Sequence, residues 1–165
     1  MTSVRLLPAT VEYLLTLQSD PAAFGLLIGS KVPAGWPEFP EAIGFSIKRL
    51  RDHPDEADWW MHFFLAEDRL VGSGGFVGPP RDGVVEIGYE LAQEFRGCGL
   101  GIAAARALIE KARATGTVTT VIANTLADDN PSTGVLRRLG FTRTLELVDP
   151  EDGPIWRWEL AVTAR

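Results

Sequence analysis

The chain has 165 residues, 45% of them hydrophobic and 23% charged, so it fits one domain, 1–165, with enough apolar material for a substantial core. Sixteen basic against 22 acidic residues give a net charge of −6, which argues against sequence-independent nucleic-acid binding, where a basic patch is the expected footprint. No apolar run approaches the length of a membrane span, Met1 to Arg5 lack the basic-then-apolar order of a signal peptide, and a lone cysteine excludes an internal disulfide scaffold, so a cytoplasmic setting is expected.

In chain order, Val4 to Leu7 reads as a short strand, and Pro8-Ala9-Thr10 opens a helical pattern with Val11, Leu14 and Leu15 on one face. Residues 20–40 carry Pro21, Gly25, Gly29, Pro33, Gly35, Pro37 and Pro40, which predict short helical pieces joined by loops in a region able to shape a substrate cleft. A helix from about Pro40 to Arg51 follows. Trp59 to Ala66 and Leu70 to Val77 form a predicted hairpin about Glu67-Asp68. Val84 to Leu91 is a strand, Gly99 to Thr115 a helix, Val118 to Thr125 a strand and Pro131 to Leu139 a helix. Strands at Thr142 to Val148 and Pro154 to Leu160 close the series.

The most informative stretch is Arg96-Gly97-Cys98-Gly99-Leu100-Gly101, which runs directly into the alanine-rich helix. Alternating glycines let backbone N–H groups turn toward an anion, and the helix adds its positive N-terminal end at the same place. The segment satisfies a loose G-x-G-x-x-A, but Gln93 to Arg96 separate it from the preceding strand, and the next strand ends in Ala123-Asn124-Thr125 with no acidic residue. A dinucleotide site therefore lacks its context. No Gly-Lys-Ser/Thr follows, which removes a P-loop.

With Arg96, Gly97, Gly99 and Gly101 in place, the loop resembles the Gln/Arg-x-x-Gly-x-Gly/Ala signature of the GNAT superfamily of N-acetyltransferases. Val85 to Leu91 and Asp129 to Phe141 resemble its RimJ/RimL branch. The resemblance implies an α/β (α+β) GNAT fold: a mixed, mostly antiparallel, twisted sheet of about seven strands flanked by about four helices, splayed between strands 4 and 5. It implies acetyl coenzyme A as cosubstrate and no metal. The pyrophosphate is expected on the amides of Arg96, Gly97, Cys98, Gly99, Leu100 and Gly101, with the pantetheine arm pairing like an extra strand along Leu91 to Gln93.

Acetyl transfer needs a base for the amine, and the resemblance places Glu86 beside the thioester. Strand alternation sets Glu86, Gly88 and Glu90 on one face and Ile87, Tyr89 and Leu91 on the other. At ~3.3 Å per residue the two glutamates lie roughly 13 Å apart, too far to act as one pair. Glu86 alternatively reads as a strand glutamate facing solvent or an arginine. Many relatives place a proton-donating tyrosine on the helix after strand 5, yet this chain has none between Asn130 and Phe141. Ser132, eight residues before Gly140, is the substitute, with helix N-capping as its other reading. Asn124 and Asn130 are further polar candidates toward the cofactor, although Asp129 stands where the branch carries asparagine.

Cys98 beside a helix N-terminus is a weaker nucleophile candidate, with no histidine near it in sequence. His53 and His62 lack ligand spacing for a metal, and His62 on an apolar strand reads as packed core. Trp36 is a candidate wall of the acceptor site. The expected activity is transfer of acetyl to a primary amine, protein N-terminal or small-molecule, in a ternary complex. A non-catalytic acetyl-CoA-binding sensor or interaction domain and a nicotinamide-dependent oxidoreductase are the other readings. The resemblance also implies a homodimer, since the final strands of such folds often pair between subunits.

Overall fold

The computed structural model describes residues 2–163. Among them the order is β1 (Arg5–Pro8), α1 (Val11–Ser19), α2 (Pro21–Ile28), α3 (Glu41–Asp52), β2 (Met61–Ala66), β3 (Arg69–Phe76), β4 (Val84–Leu91), α4 (Leu100–Ala114), β5 (Thr120–Leu126), α5 (Pro131–Arg138), β6 (Thr142–Asp149) and β7 (Gly153–Ala161). Short 3₁₀ turns cover Pro54–Trp59 and Gln93–Phe95. The helix beyond the expected four is α2. Asp20 makes it by closing α1 with its N–H on the Thr16 carbonyl, 2.8 Å, while its Oδ1 accepts from Ala23 N, 3.2 Å. Pro21 at the first position and Gly29 in the left-handed region complete the start and stop of one of the short helical pieces expected over 20–40.

One seven-stranded sheet runs β1-β2-β3-β4-β5-β7-β6, antiparallel except for β4 beside β5. Glu67 and Asp68, at φ +50° and +62°, make the primed type of turn that suits the β2–β3 hairpin. A Cβ at Gly74 would overlap the Gly88 carbonyl oxygen and the Phe64 ring, so this glycine lets β3 and β4 approach closely.

Both faces of the sheet are covered. On one, Leu100, Ala104 and Leu108 of α4 and Leu136 of α5 pack on Val85, Ile87, Val121 and Trp158. On the other, α1, α2 and α3 bring Leu14, Phe24, Ile47 and Leu50 onto Phe63 and Leu65. Phe63 is fully buried among the rings of Phe24, Tyr13 and Trp36, at centroid distances of 4.9, 6.2 and 6.2 Å.

His62 is packed core, as its apolar strand predicts. Nδ1 donates to the Trp60 carbonyl, 2.9 Å, and Nε2 accepts from Lys111 Nζ, 2.7 Å, while Lys111 pairs with Asp58 at 3.0 Å. Burial first, and the lysine second, depress its pKa to about 4, so the ring is neutral near pH 7 and pins α4 to β2. Among the described residues no helix is long and apolar enough to cross a membrane.

Candidate active site

The site begins where two parallel strands part. Val84 to Ile87 pair with Thr120 to Ala123, but from Gly88 onward β4 pairs only with β3, while Asn124 to Leu126 turn to β7. The β5-facing edge of Gly88 to Leu91 thus has no strand partner, although the Leu91 carbonyl on it accepts from Arg96 Nε, and it is a strand edge offered to an extended ligand. This is the splay expected between strands 4 and 5.

At the far end of that edge lies the glycine loop. Gly97 and Gly99 hold φ of +78° and +86°, a region that favours glycine, with nothing within 4 Å of a Cβ built at either. Among the described residues, the amides from Gly97 to Ile102 have no protein acceptor, the first bond of α4 being Ala103 N to the Gly99 carbonyl, 3.2 Å. Arg96 N–H, expected with them, instead bonds the Gln93 carbonyl at 3.2 Å. The Arg96 side chain reaches back, Nε to the Leu91 carbonyl at 3.0 Å and Nη2 to Glu38 at 2.9 Å. Cys98 is exposed, its Sγ 3.1 Å from the Phe95 carbonyl. Gly101 packs beside Val135 and Leu91, which brings α4, α5 and the end of β4 together at the opening.

Glu86 is half-buried on the face predicted by alternation. The Asn124 side chain hydrogen-bonds it, and Asn124 Oδ1 accepts from Arg157 Nε at 3.3 Å. Burial pushes its carboxyl above the usual carboxylate range, with Arg157 and then Asn124 pulling it back. Asn124 therefore acts on Glu86. The structure also removes the capping reading of Ser132. Asn130 is the cap of α5, with Oδ1 accepting from Thr133 N, 3.0 Å, and Thr133 Oγ1 accepting from Asn130 N, 2.9 Å. Asn130 Nδ2 donates to Asp128 at 2.6 Å, so its side chain is fully engaged within the protein. Ser132 is left half-buried in the first turn, and among the described residues its hydroxyl has no hydrogen bond.

Glu90 has surroundings that sequence reasoning missed. Its carboxyl faces the Glu38 backbone N–H and the Ser73 hydroxyl, while Ser73 Oγ accepts from Trp36 Nε1 at 3.1 Å. Burial raises its pKa, and the Glu38 N–H, Arg96 and the Ser73 hydroxyl oppose that, whereas the Glu38 carboxylate adds to it. Trp36, Glu38, Glu90, Leu91, Gln93 and Arg96 line a recess of about 210 Å³, and Glu90 also lines a larger cavity of about 350 Å³ between α3 and strands β3 and β4. Trp36, nominated as a wall, is buried in this recess. On the opposite face the Tyr89 hydroxyl is buried without a partner among the described residues, and burial holds its pKa at about 12.

Residues 7–142 match the family described as Acetyltransferase (GNAT) domain. The chain belongs to the GNAT acetyltransferase family. It is 30% identical over 119 residues to an uncharacterised N-acetyltransferase, YjdG, of Bacillus subtilis (strain 168), covering 69% of this chain and 71% of that protein. Among solved structures it is similar to RimL, a ribosomal L7/L12 alpha-N-protein acetyltransferase in complex with coenzyme A. The TM-score is 0.72 at 18% identity, over 100% of this chain and 97% of that one. It is also similar to the microcin C7 self-immunity acetyltransferase MccE in complex with acetyl-CoA and AMP, with a TM-score of 0.69 at 19% identity over 97% and 93% of the two chains. These likenesses, below a quarter identity, concern the fold. As a GNAT acetyltransferase the chain is an acyltransferase that uses acetyl-CoA. The open β4 edge and the run of unbonded amides fit that cosubstrate, one offering strand pairing to an amide-bearing arm and the other an anion cradle.

Proposed function

We propose that this acetyltransferase acylates a primary amine, on a protein N-terminus or a small molecule, with acceptor and acetyl-CoA bound together. The observation that carries the reading is the placement of the unpaired β4 stretch, Gly88 to Leu91, between the free amides of Gly97 to Ile102 on one side and Glu86, on the paired part of the same strand, on the other. Acetyl-CoA supplies the activated acyl group and leaves as a thiol. Amides of Gly97, Cys98, Gly99, Leu100 and Gly101 hold its pyrophosphate, and backbone along Leu91 to Gln93 aligns its arm. Glu86 takes the proton from the amine nitrogen, directly or through one water, with its carboxylate aimed by Asn124 and charged with the help of Arg157. The Ser132 hydroxyl, freed from capping by Asn130, delivers a proton on the α5 side of the opening.

The matches to RimL and to RimJ of Mycobacterium smegmatis support placement in the RimJ/RimL-like branch, although both are under 20% identical. Edge strand β6, exposed along most of its length, supports a homodimer, and the lone cysteine and acidic balance support a cytoplasmic enzyme that does not bind nucleic acid. The test is thiol release from acetyl-CoA across a panel of amines. Acceptor-dependent release is expected, and saturable cofactor binding without turnover on any acceptor would turn the reading toward a sensor domain.

A further inference from the structure

The 350 Å³ cavity ends against the sheet at Gly88, where a side chain would meet only open space. Its walls are apolar: Phe39, Ile43 and Phe45 from the α3 side and Trp60 and Met61 from the start of β2. Trp60 is fixed by an edge-on contact with Phe45, centroids 6.0 Å apart, and by the Arg49 guanidinium 4.7 Å over its ring. Phe39 and Phe45 are both more than half exposed, so the mouth itself is aromatic. Among the described residues lining this cavity, Glu90 is the one that carries a charge. Its Oε2 is buried and has no hydrogen-bond partner, with the Ser73 hydroxyl and the Glu38 N–H nearby on the protein side. A lone carboxylate at the floor of an aromatic-rimmed cavity matches one ligand chemistry, an ammonium carried on an apolar body.

Building on the acetyltransferase reading, we infer that Glu90 docks the acceptor's ammonium and the Phe39–Phe45–Trp60 cavity receives an apolar, aromatic-sized substituent beside it. Gly88 lies two residues from Glu90 and two from Glu86, roughly 6–7 Å along the strand from each. The amine is recruited at Glu90 and then moves along the strand past Gly88, where it comes within one water of Glu86. Glu90 is thus a positioning and specificity residue that sets which amines enter.

Steady-state kinetics on two matched pairs test this: 2-phenylethylamine against ethanolamine, and L-phenylalaninamide against L-serinamide. The wild type is expected to favour the aromatic member of at least one pair by 10-fold or more in kcat/KM. Glu90→Gln should raise KM for that amine about 10-fold with kcat within about 3-fold, Glu90→Asp should recover part of the loss, and Phe45→Ala, at an exposed position, should erase the preference. Coenzyme A affinity by calorimetry should stay unchanged in each variant, which reports an intact fold and donor site. Equal or better turnover of the polar members, or an unchanged KM in Glu90→Gln, overturns this inference alone. Intact coenzyme binding with no turnover of any amine overturns the acetyltransferase reading and this inference with it.

Discussion

Glu86 and Glu90 share one face of one strand, four residues apart, yet the two halves of β4 treat them differently. The Glu86 half is paired on both sides, and its carboxyl is met by Asn124 and Arg157 from β5 and β7. The Glu90 half has lost β5, and its carboxyl is met by Ser73 from β3 and by the 33–40 loop through Glu38 and Trp36. One is backed by a cation and hydrogen bonds within a continuous sheet; the other faces a cavity with an oxygen unpaired. Two carboxylates of the same type on the same face are thereby given different surroundings by where the sheet splits.

The largest expected effect divides them by kinetics. Glu86→Gln should lower kcat by roughly 10²- to 10⁴-fold with the acceptor KM little changed, the reverse of the Glu90→Gln pattern. Steady-state assays on both variants check it, and a pure KM effect at Glu86 would merge the two roles. Next in size is Ser73→Ala, which strands the buried Trp36 Nε1 and removes the hydroxyl that faces Glu90. A loss of about 1–3 kcal/mol in denaturant unfolding is expected, with a modest rise in acceptor KM.

Arg157→Gln sharpens the comparison through pH. Arg157 lowers the Glu86 pKa, so its removal lets burial push that pKa further up. Since the base works ionised, the acidic limb of the kcat profile should move to higher pH in Arg157→Gln and stay put in Ser73→Ala. A limb unmoved by Arg157→Gln would separate Glu86 from the observed ionisation. The smallest effect belongs to the other face. Tyr89→Phe deletes a buried hydroxyl without a partner, so stability should hold or rise by up to about 1 kcal/mol in the same unfolding assay.

Much of this architecture was legible because it is written in short-range pattern. Period-2 alternation placed Glu86, Gly88 and Glu90 together, and the glycine spacing of the loop pointed to inward-turned amides, which the left-handed backbone at 97 and 99 provides. Asn130-Pro131 is itself a cap followed by a first-turn proline, a signal that outranked the serine beside it. Helix α2 was legible as a short helical piece but not by its bounds, because breakers and starters share residues: Pro21 and Gly29 bound a helix as readily as they break one. The cavity was beyond reach for a different reason. Its walls come from Phe39 and Phe45, from Trp60 and Met61, and from Gly88 and Glu90, segments joined only by the way α3 lies across β3 and β4.

The interposition of β7 between β5 and β6 has a consequence for biosynthesis. As the chain emerges from the ribosome, β6 is made before the strand that will separate it from β5, so it waits without its neighbour until β7 arrives to bond both. Arg157 travels on that late strand. In the finished sheet β7 is the strand that joins β6 to β5, so the cation that draws the Glu86 pKa down comes with the strand that closes the sheet.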